Sequence, residues 1–266
     1  MGKLAITTGR QPGAVKAVIY GTEGIGKSTL AARFPGALII DTEDGSRHID
    51  CARCTCHDWK SLVAAMAELV ADSNGFKTVV IDSADWAEKM LVEQLLDGSG
   101  KKSIEDFGFG KGYVMLAERV SRFLSQADAL AYSGVNVVFV AHSQVRRTSP
   151  PDQTDGYDRY ELKLAKQTAP LFKEWADLVL FCNYKTRLVE GSDGRIKAHG
   201  GKSRVMYAER SAAWDAKNRF GLPEEMPMEF DQLASIFAPA PPAPLKIEVP
   251  HKPGAVAARA RRAIEA

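Results

Sequence analysis

A glycine-rich segment at residues 21–28, GTEGIGKS, has residue types and spacing suited to phosphate chemistry. It fits the pattern G-x-x-x-x-G-K-[ST], in which glycines let successive backbone N–H groups face one anion at the start of a helix. The lysine of this pattern reaches the β- and γ-phosphates of a nucleotide, and the hydroxyl after it binds Mg²⁺. The pattern predicts a site for ATP and Mg²⁺ made of Gly21, Thr22, Glu23, Gly24, Ile25, Gly26, Lys27, Ser28 and Thr29.

The sequence on either side of this segment provides the context that such a loop requires. An apolar run at residues 15–20 precedes it, and a helical run at residues 28–34 follows it. A phosphate loop joins a strand to a helix in this order. The alternative is a glycine-rich turn that matches by chance, and the flanking runs disfavour it.

Acidic residues end two further apolar runs. The segment ALIIDTEDG places Asp41, Glu43 and Asp44 at the end of a predicted strand, and KTVVIDSADW places Asp82 at the end of another. Ligands of open α/β sheets bind at the carboxyl ends of the strands, so these acids are expected to face the nucleotide. Asp82 is predicted to hold Mg²⁺ together with the loop serine. The alternatives are a solvated acidic turn and, for Asp82, a plain strand-ending aspartate.

Two long polar connections carry many cations. The first, within DGSGKKSIEDFGFGKGY, is rich in glycine, lysine and aromatic residues, and the second spans residues 144–168. Cations follow phosphates and aromatic faces stack on bases, which makes the first connection a candidate for contacting single-stranded nucleic acid. A lid or a packing loop is the alternative. The second connection is too long to be a simple linking loop without a function.

Length and composition favour one large α/β domain. The chain has 266 residues, of which 45% are hydrophobic, and a net charge of +2 that is too small to indicate nucleic acid by itself. No apolar run of about 18 residues is present, and the N-terminal segment lacks the apolar core of a signal peptide. We expect a soluble, cytoplasmic protein with no membrane partner.

A cluster of cysteines raises the question of a metal. Cys51, Cys54, Cys56 and His57 read C-x-x-C-x-C-H, and Cys182 lies far away. Alternate residues of a strand point to opposite faces, and no second ligand pair follows at zinc-site spacing. We therefore favour ordinary cysteines without disulfides, although the sequence leaves zinc open.

Four segments are predicted along the chain. Residues 1–14 form a flexible lead-in, 15–237 the main domain, 238–254 a proline-rich linker and 255–266 a basic tail. The tail could dock an acidic partner or remain a solubilising extension. Within the domain, helices are expected at residues 59–71, 86–96, 114–131, 171–175 and 231–237, strands at 134–143, 177–184 and 205–208, and a hairpin turn at 190–195.

The order of the motifs resembles that of the RecA-like ATPase core. GTEGIGKST, IDTEDG, VVIDS, VVFVAHSQ and AKNRFG occur in this order over about residues 15–237, and FGFGKGY is similar to phage-encoded AAA-type nucleotide-binding proteins of single-strand annealing recombination. The resemblance implies an α/β fold with the P-loop NTPase core of RecA. Its central sheet would be mostly parallel, flanked by helices, with an antiparallel C-terminal extension.

The resemblance also implies roles for individual residues in catalysis, beside Lys27. Glu43 matches the glutamate that orients the attacking water and acts as the catalytic base, and Asp82 matches the metal-binding acid. His142 stands where RecA relatives usually carry a glutamine that links the γ-phosphate to a DNA-binding loop; imidazole can supply the same hydrogen bond. The alternative for His142 is a packed or capping histidine.

Further resemblances concern a neighbouring subunit and DNA. Lys217 and Arg219 match cations of bacterial RadA-type relatives that reach a neighbour's phosphates, which implies a homo-oligomer, either a ring or a filament; a simple basic turn is the alternative. The connections at residues 98–112 and 144–168 fall where RecA relatives contact DNA. The implied DNA-binding residues are Lys101, Lys102, Phe107, Phe109, Lys111, Arg146, Arg147, Arg159, Lys163 and Lys166.

The resulting hypothesis is an ATPase that binds single-stranded DNA and anneals strands in phage-type homologous recombination, in the cytoplasm of a bacterial host. Filament-based strand exchange is less favoured, because we see no separate oligomerisation domain of the kind RecA recombinases have. The basic tail could dock a single-strand-binding protein. One alternative is a helicase-loader-like replication ATPase that acts on a protein partner. A small-molecule P-loop kinase is another.

Overall fold

The computed structural model describes residues 8, 9, 11, 13–151, 155–190 and 196–237, and only the backbone of 187–190 and 196–199. The proline-rich linker, the basic tail, most of the lead-in and the turn at 191–195 lie outside the described residues. The described strands are β1 (Lys16–Gly21), β2 (Ala37–Asp41), β3 (Ala52–Thr55), β4 (Thr78–Asp82), β5 (Asn136–Thr148), β6 (Tyr157–Leu162), β7 (Leu178–Glu190), β8 (Ile196–Tyr207), β9 (Lys217–Asn218) and β10 (Glu225–Pro227). The helices are α1 (Lys27–Ala31), α2 (Trp59–Ala71), α3 (Ala84–Leu96), α4 (Lys111–Tyr132), α5 (Ala169–Trp175) and α6 (Ala234–Phe237).

One sheet organises the domain, in the order β10-β8-β7-β1-β5-β4-β2-β3. The six strands from β7 to β3 are parallel to their neighbours, whereas β8 and β10 extend the sheet with antiparallel pairing. Helices α2, α3, α4 and α5 cover one face, and α1 and α6 cover the other. The expected fold class is confirmed: a mixed α/β protein with a mostly parallel sheet and an antiparallel C-terminal extension.

The central strands are apolar because both of their faces are buried. All five residues of β4 are buried, and Val137, Val138, Phe139 and Val140 of β5 are at most 1% exposed. Parallel strands between two layers of helices read as continuous apolar runs rather than alternating ones. This is why the sequence revealed them easily.

Two elements differ from the sequence-based expectation. Strand β5 continues to Thr148, and β6 returns antiparallel beside it, so the connection predicted at residues 144–168 is largely a β-hairpin. Its polar residues resemble a loop because most of the hairpin is only half-buried. The cysteine segment contains β3, an exposed edge strand that pairs with β2 and lacks the apolar run of the central strands.

The register brings the chemically important residues to one edge of the sheet. Asp41 pairs with Asp82, and Gly21 pairs with His142 on the neighbouring strand. Both pairs lie at the carboxyl ends of parallel strands, where ligands bind in open α/β sheets. Among the described residues, no helix is long and apolar enough to cross a membrane.

Candidate functional site

The phosphate loop joins β1 to α1, and two of its glycines are required by the backbone. A Cβ on Gly21 would collide with the carbonyl oxygen of Cys182 on the adjacent strand. Gly26 has φ of 103°, a left-handed conformation that other residues rarely adopt, and it lies against the guanidinium of Arg204. The loop geometry therefore depends on glycine at both positions.

The ammonium of Lys27 lies inside this loop. Its side chain is buried, and Nζ donates hydrogen bonds to the carbonyl oxygens of Gly21 at 3.1 Å and Thr22 at 2.9 Å. Burial lowers the pKa of Lys27, because the charged form loses hydration. The buried Thr22 hydroxyl has no hydrogen-bond partner among the described residues. The loop thus presents a cation and a spare polar group to a ligand.

Asp41 shapes the turn that carries Glu43. Its carboxylate accepts hydrogen bonds from the backbone N–H groups of Glu43 at 3.1 Å and Ser46 at 2.8 Å, and from the Ser46 hydroxyl at 2.5 Å. Burial alone would raise the pKa of Asp41, but these hydrogen bonds together lower it. A carboxylate committed in this way positions the turn instead of accepting a proton.

Glu43 and Asp82 form an acidic pair close to the loop. Burial raises the pKa of Glu43, and the charges of Asp82 and Asp85 raise it further, while His142 lowers it. Burial also raises the pKa of Asp82, against the hydrogen bond from the Ser28 hydroxyl and the positive charge of Lys27. A carboxylate with a raised pKa is suited to accept a proton near neutral pH.

His142 is paired with Asp85, a residue that the sequence analysis did not assign. Asp85 accepts a hydrogen bond from the backbone N–H of His142 at 3.0 Å, and its other oxygen lies 2.8 Å from Nδ1 of the ring. The hydrogen bond raises the pKa of His142, against the opposing effect of burial. The signal for Asp85 was its position in VVIDSAD, which places it in the first turn of α3 behind Asp82.

We expect Asp85→Asn to lower the free energy of unfolding by about 2 kcal/mol at pH 6, because a hydrogen bond between charged groups is lost. The side chains of His142 and Asp85 are 14% and 7% exposed, so solvent screens the pair little. The raised pKa of His142 makes its contribution complete below about pH 6.5 and progressively lost as pH rises through the folded value. The difference from wild type should therefore shrink at pH 9.

Chemical denaturation at both pH values measures this effect. Asp97→Asn provides a matched control, because Asp97 is exposed at the other end of the same helix. Equal destabilisation of Asp85→Asn at pH 6 and pH 9 would contradict a charged pair.

The β5–β6 hairpin contacts the phosphate loop directly. Lys163, the first residue after β6, donates its backbone N–H to the carbonyl oxygen of His142 at 2.9 Å. Its ammonium lies 3.3 Å from the Glu23 carboxylate in the loop. A displacement of this hairpin would therefore change its contacts with both His142 and the phosphate loop.

The cations proposed for DNA differ in their exposure. Lys101, Lys102, Lys111, Arg147, Lys163 and Lys166 are exposed, and the Phe109 side chain is completely exposed between two glycines. Arg146 is half-buried and donates to the carbonyl oxygen of Leu164 at 2.9 Å. Arg159 is 7% exposed and lies 2.6 Å from the Asp215 carboxylate, so we exclude it from the proposed DNA surface.

Lys217 and Arg219 lie away from the phosphate loop of their own chain. Lys217 and Asn218 pair with Val179 and Leu178 of β7, three and four residues before Cys182, which pairs with Gly21; this corresponds to about 10–13 Å along the strand. Lys217 Nζ donates to the carbonyl oxygens of Lys173 and Glu174 at 3.1 and 2.9 Å. Arg219 lies 2.6 Å from Asp177. Their contact with a neighbouring subunit stays a prediction.

A cavity lies on the opposite side of the loop from Glu43 and Asp82. It has a volume of about 200 Å³ and is lined by Thr29, Arg33, Arg204 and Phe230, among others. Arg204 Nη1 donates to the carbonyl oxygen of Ile25 at 3.1 Å. Arg204 is distant in sequence, and no local pattern identified it.

Comparison with known families decides the classification. Residues 14–220 match the profile of a family described as AAA domain. This chain belongs to the AAA domain family. A search of curated proteins found no match. The AAA domain is an ATPase-type, nucleotide-binding domain, which agrees with the phosphate loop and the adjoining acids. Its match includes every catalytic residue proposed from the sequence.

The residues of this AAA domain fit a magnesium ion. Mg²⁺ is usually held by one or two protein oxygens together with substrate phosphates and water. The Ser28 hydroxyl and the Asp82 carboxylate lie close to each other beside the loop, and they would supply these two oxygens. When bound, the ion would neutralise phosphate charge.

The cysteine cluster provides no comparable site. Among the described residues, no group of three or more histidine, cysteine or acidic side chains is arranged to hold a metal. Cys51, Cys54 and Cys56 are free thiols, and burial raises the pKa of Cys56 to about 12.

Proposed function

We propose that this AAA domain is a magnesium-dependent ATPase that binds single-stranded DNA and couples that binding to ATP. The observation that carries the proposal is the pair of contacts made by Lys163, which joins the cationic hairpin to both His142 and Glu23. A role in phage-type annealing recombination rests on the motif order described above.

In the proposed reaction, a water molecule attacks the γ-phosphorus while the bond from that phosphorus to ADP breaks. Glu43 accepts the proton of the water, and its raised pKa suits this role. Lys27 stabilises the charge on the phosphate oxygens. ADP and phosphate then leave.

The proposed orientation of the nucleotide follows from the order of the strands. Asp82 and Glu43 lie on one side of β1, whereas Arg204 lies on the other. With the γ-phosphate toward the acids, the base is directed toward the cavity beside Arg204 and Phe230. Guanidinium and aromatic faces are suited to stack on a purine.

A second subunit would complete the site. The proposal keeps Lys217 and Arg219 as cations that act on the ATP of a neighbour, because they lie too far from their own phosphate loop. In an oligomer, Arg219 would exchange its ion pair with Asp177 for one with phosphate. The proposed assembly is a homo-oligomer, either a ring or a filament.

The proposed coupling predicts that ATP and single-stranded DNA promote each other's binding. ATP turnover should rise with a single-stranded oligonucleotide. A non-hydrolysable ATP analogue should tighten oligonucleotide binding, and the oligonucleotide should tighten binding of the analogue by the same factor. The double variant Arg147→Ala/Lys166→Ala should weaken oligonucleotide binding about tenfold. The slope of log K against the logarithm of the salt concentration should become less steep by about 1.4, since each lost phosphate contact contributes about 0.7 to it. Fluorescence polarisation at several salt concentrations measures both.

The matched control is Lys77→Ala/Arg122→Ala, which removes two exposed cations elsewhere. It should bind the oligonucleotide as wild type does. If the protein hydrolyses ATP but does not bind DNA, and its turnover does not respond to DNA, the proposal is contradicted and a small-molecule kinase is favoured. DNA-stimulated turnover without annealing of complementary oligonucleotides would favour a loader that acts on a protein partner.

A further inference from the structure

A cavity of about 520 Å³ opens between α3, α4 and the segment after β6. This volume lies within the range of about 300–1,000 Å³ typical of small-molecule sites. We call it the hairpin cavity and define it by the lining residues Tyr113, Leu116, Gln144, Arg146, Leu164 and Lys166. It adjoins the phosphate loop through the hairpin but lies outside the nucleotide site.

The walls of the hairpin cavity combine apolar and cationic groups. Leu116 and Leu164 are 1% and 2% exposed, and the half-buried Tyr113 ring lies beside them. Arg146, which lies 3.6 Å from the Glu161 carboxylate, and the exposed Lys166 add positive charge, while Glu88 adds one carboxylate to the wall. A flat apolar ring attached to an anion matches these walls, and this is the chemistry of a nucleotide unit.

Gln144 adds a polar group with a defined role. Its side-chain nitrogen donates to the carbonyl oxygen of Leu162 at 2.9 Å. The amide oxygen is the group that Gln144 can offer to a ligand, and it accepts hydrogen bonds from N–H donors such as those on the edges of bases.

We propose that the hairpin cavity receives one nucleobase of single-stranded DNA, while Arg146 and Lys166 bind the adjoining phosphate. This inference rests on the proposed function. It states further that the protein binds a base of the DNA strand as well as its phosphate backbone. A free nucleotide shares this chemistry, but the connection of the cavity to the cationic hairpin favours a strand.

The hairpin cavity is also connected to the ATP site through α3. Asp85 of this helix contacts His142, and Glu88, one turn later, accepts a hydrogen bond from the backbone N–H of Ala165 at 2.9 Å. Thr168 donates its hydroxyl to the same carboxylate. A base that displaces residues 164–166 would therefore act on both α3 and Lys163, which contacts the phosphate loop.

Oligonucleotides with and without bases test the proposal. Wild type should bind an oligo-dT about tenfold more tightly than an abasic oligonucleotide of equal length, because stacking contributes in addition to phosphate contacts. Ala165→Phe places a large side chain at the wall of the cavity and should remove this preference. The control Ala67→Phe makes the same substitution on the exposed face of α2 and should retain it.

The outcomes separate this inference from the proposed function. Equal binding of both oligonucleotides by wild type would overturn the base site while DNA binding stands, whereas binding of neither would overturn the proposed function as well. A folded Ala165→Phe that keeps the preference would also overturn the inference. If circular dichroism shows that Ala165→Phe does not fold, Tyr113→Leu decides, and an unchanged preference there would refute the site. In a further test, labelled dTMP is bound to the wild type and then challenged with unlabelled ligands. Displacement by free dTMP but not by oligo-dT would assign the cavity to a mononucleotide and overturn the DNA assignment.

Discussion

Glu43→Gln is expected to lower ATP turnover by about 10²–10⁴-fold while nucleotide binding persists, because glutamine keeps the size of the side chain but cannot accept the proton of the attacking water. Glu43 lies beside Asp82, Asp85 and His142, and its pKa is raised chiefly by burial. Wild-type turnover should therefore fall on acidification, as Glu43 becomes protonated below this raised pKa. Glu43→Gln should lack this pH dependence.

Single-turnover hydrolysis and equilibrium binding of labelled ATP separate the two effects. Asp44→Asn is a suitable control, because this exposed neighbour has φ of 61° and asparagine tolerates the left-handed region. It should hydrolyse ATP at nearly the wild-type rate. Turnover by Glu43→Gln within a factor of a few of wild type would assign the base to another residue.

The proposed coupling to DNA makes a second consequence of Glu43→Gln measurable. If the ATP-bound state holds DNA, blocked hydrolysis should prolong the lifetime of the DNA complex when ATP is present. In the presence of ADP, the DNA complexes of the variant and of the wild type should have similar lifetimes. Dissociation of a labelled oligonucleotide after dilution measures this lifetime.

Local patterns predicted which residues meet at the centre of the candidate site. The phosphate loop depends on glycines and a lysine that are neighbours in sequence, and Asp82 ends a wholly buried strand. Because the strands are parallel and in register, their acidic ends meet at one edge. The fold class follows from the same apolar runs, since such runs require helices on both faces of a sheet.

Long-range pairing accounts for what the sequence did not reveal. Arg159 looked like a cation available to DNA, but Asp215, distant in sequence, binds it in the core. Arg204 reaches the phosphate loop from β8, and its position depends on the antiparallel pairing of β7 with β8. Neither of these contacts corresponds to a local sequence pattern from which it could be predicted.

The β5–β6 hairpin shows the limit of composition as a guide. Its charges indicated an exposed connection, whereas the backbone pairs Ser143 with Leu162 and continues to Thr148. Hydrogen bonds between the strands hold this segment, together with Leu162, which is buried in the core, and Tyr160, which packs against Phe181. The difference matters for the proposed coupling, because the hairpin is bonded to His142 through the backbone N–H of Lys163.

Lys27→Ala is expected to weaken ATP binding at least tenfold and to lower turnover by about 10³-fold, since a buried donor to the phosphates is lost. The fold should persist. Removing the ammonium leaves the carbonyl oxygens of Gly21 and Thr22 without this donor but also removes a charge that is costly to bury. These two effects on the free energy of unfolding oppose each other.

Lys27→Arg distinguishes the role of charge from that of shape. If positive charge alone sufficed, arginine would restore turnover, because its charge is permanent. Lys27 is only 5% exposed, however, and its hollow is closed by two carbonyl groups of the loop. A planar guanidinium is larger than an ammonium, so we expect Lys27→Arg to fail as well, with Lys77→Arg unaffected as the control. Wild-type turnover in Lys27→Ala would show that residues 21–28 form a glycine-rich turn and not the ATP site.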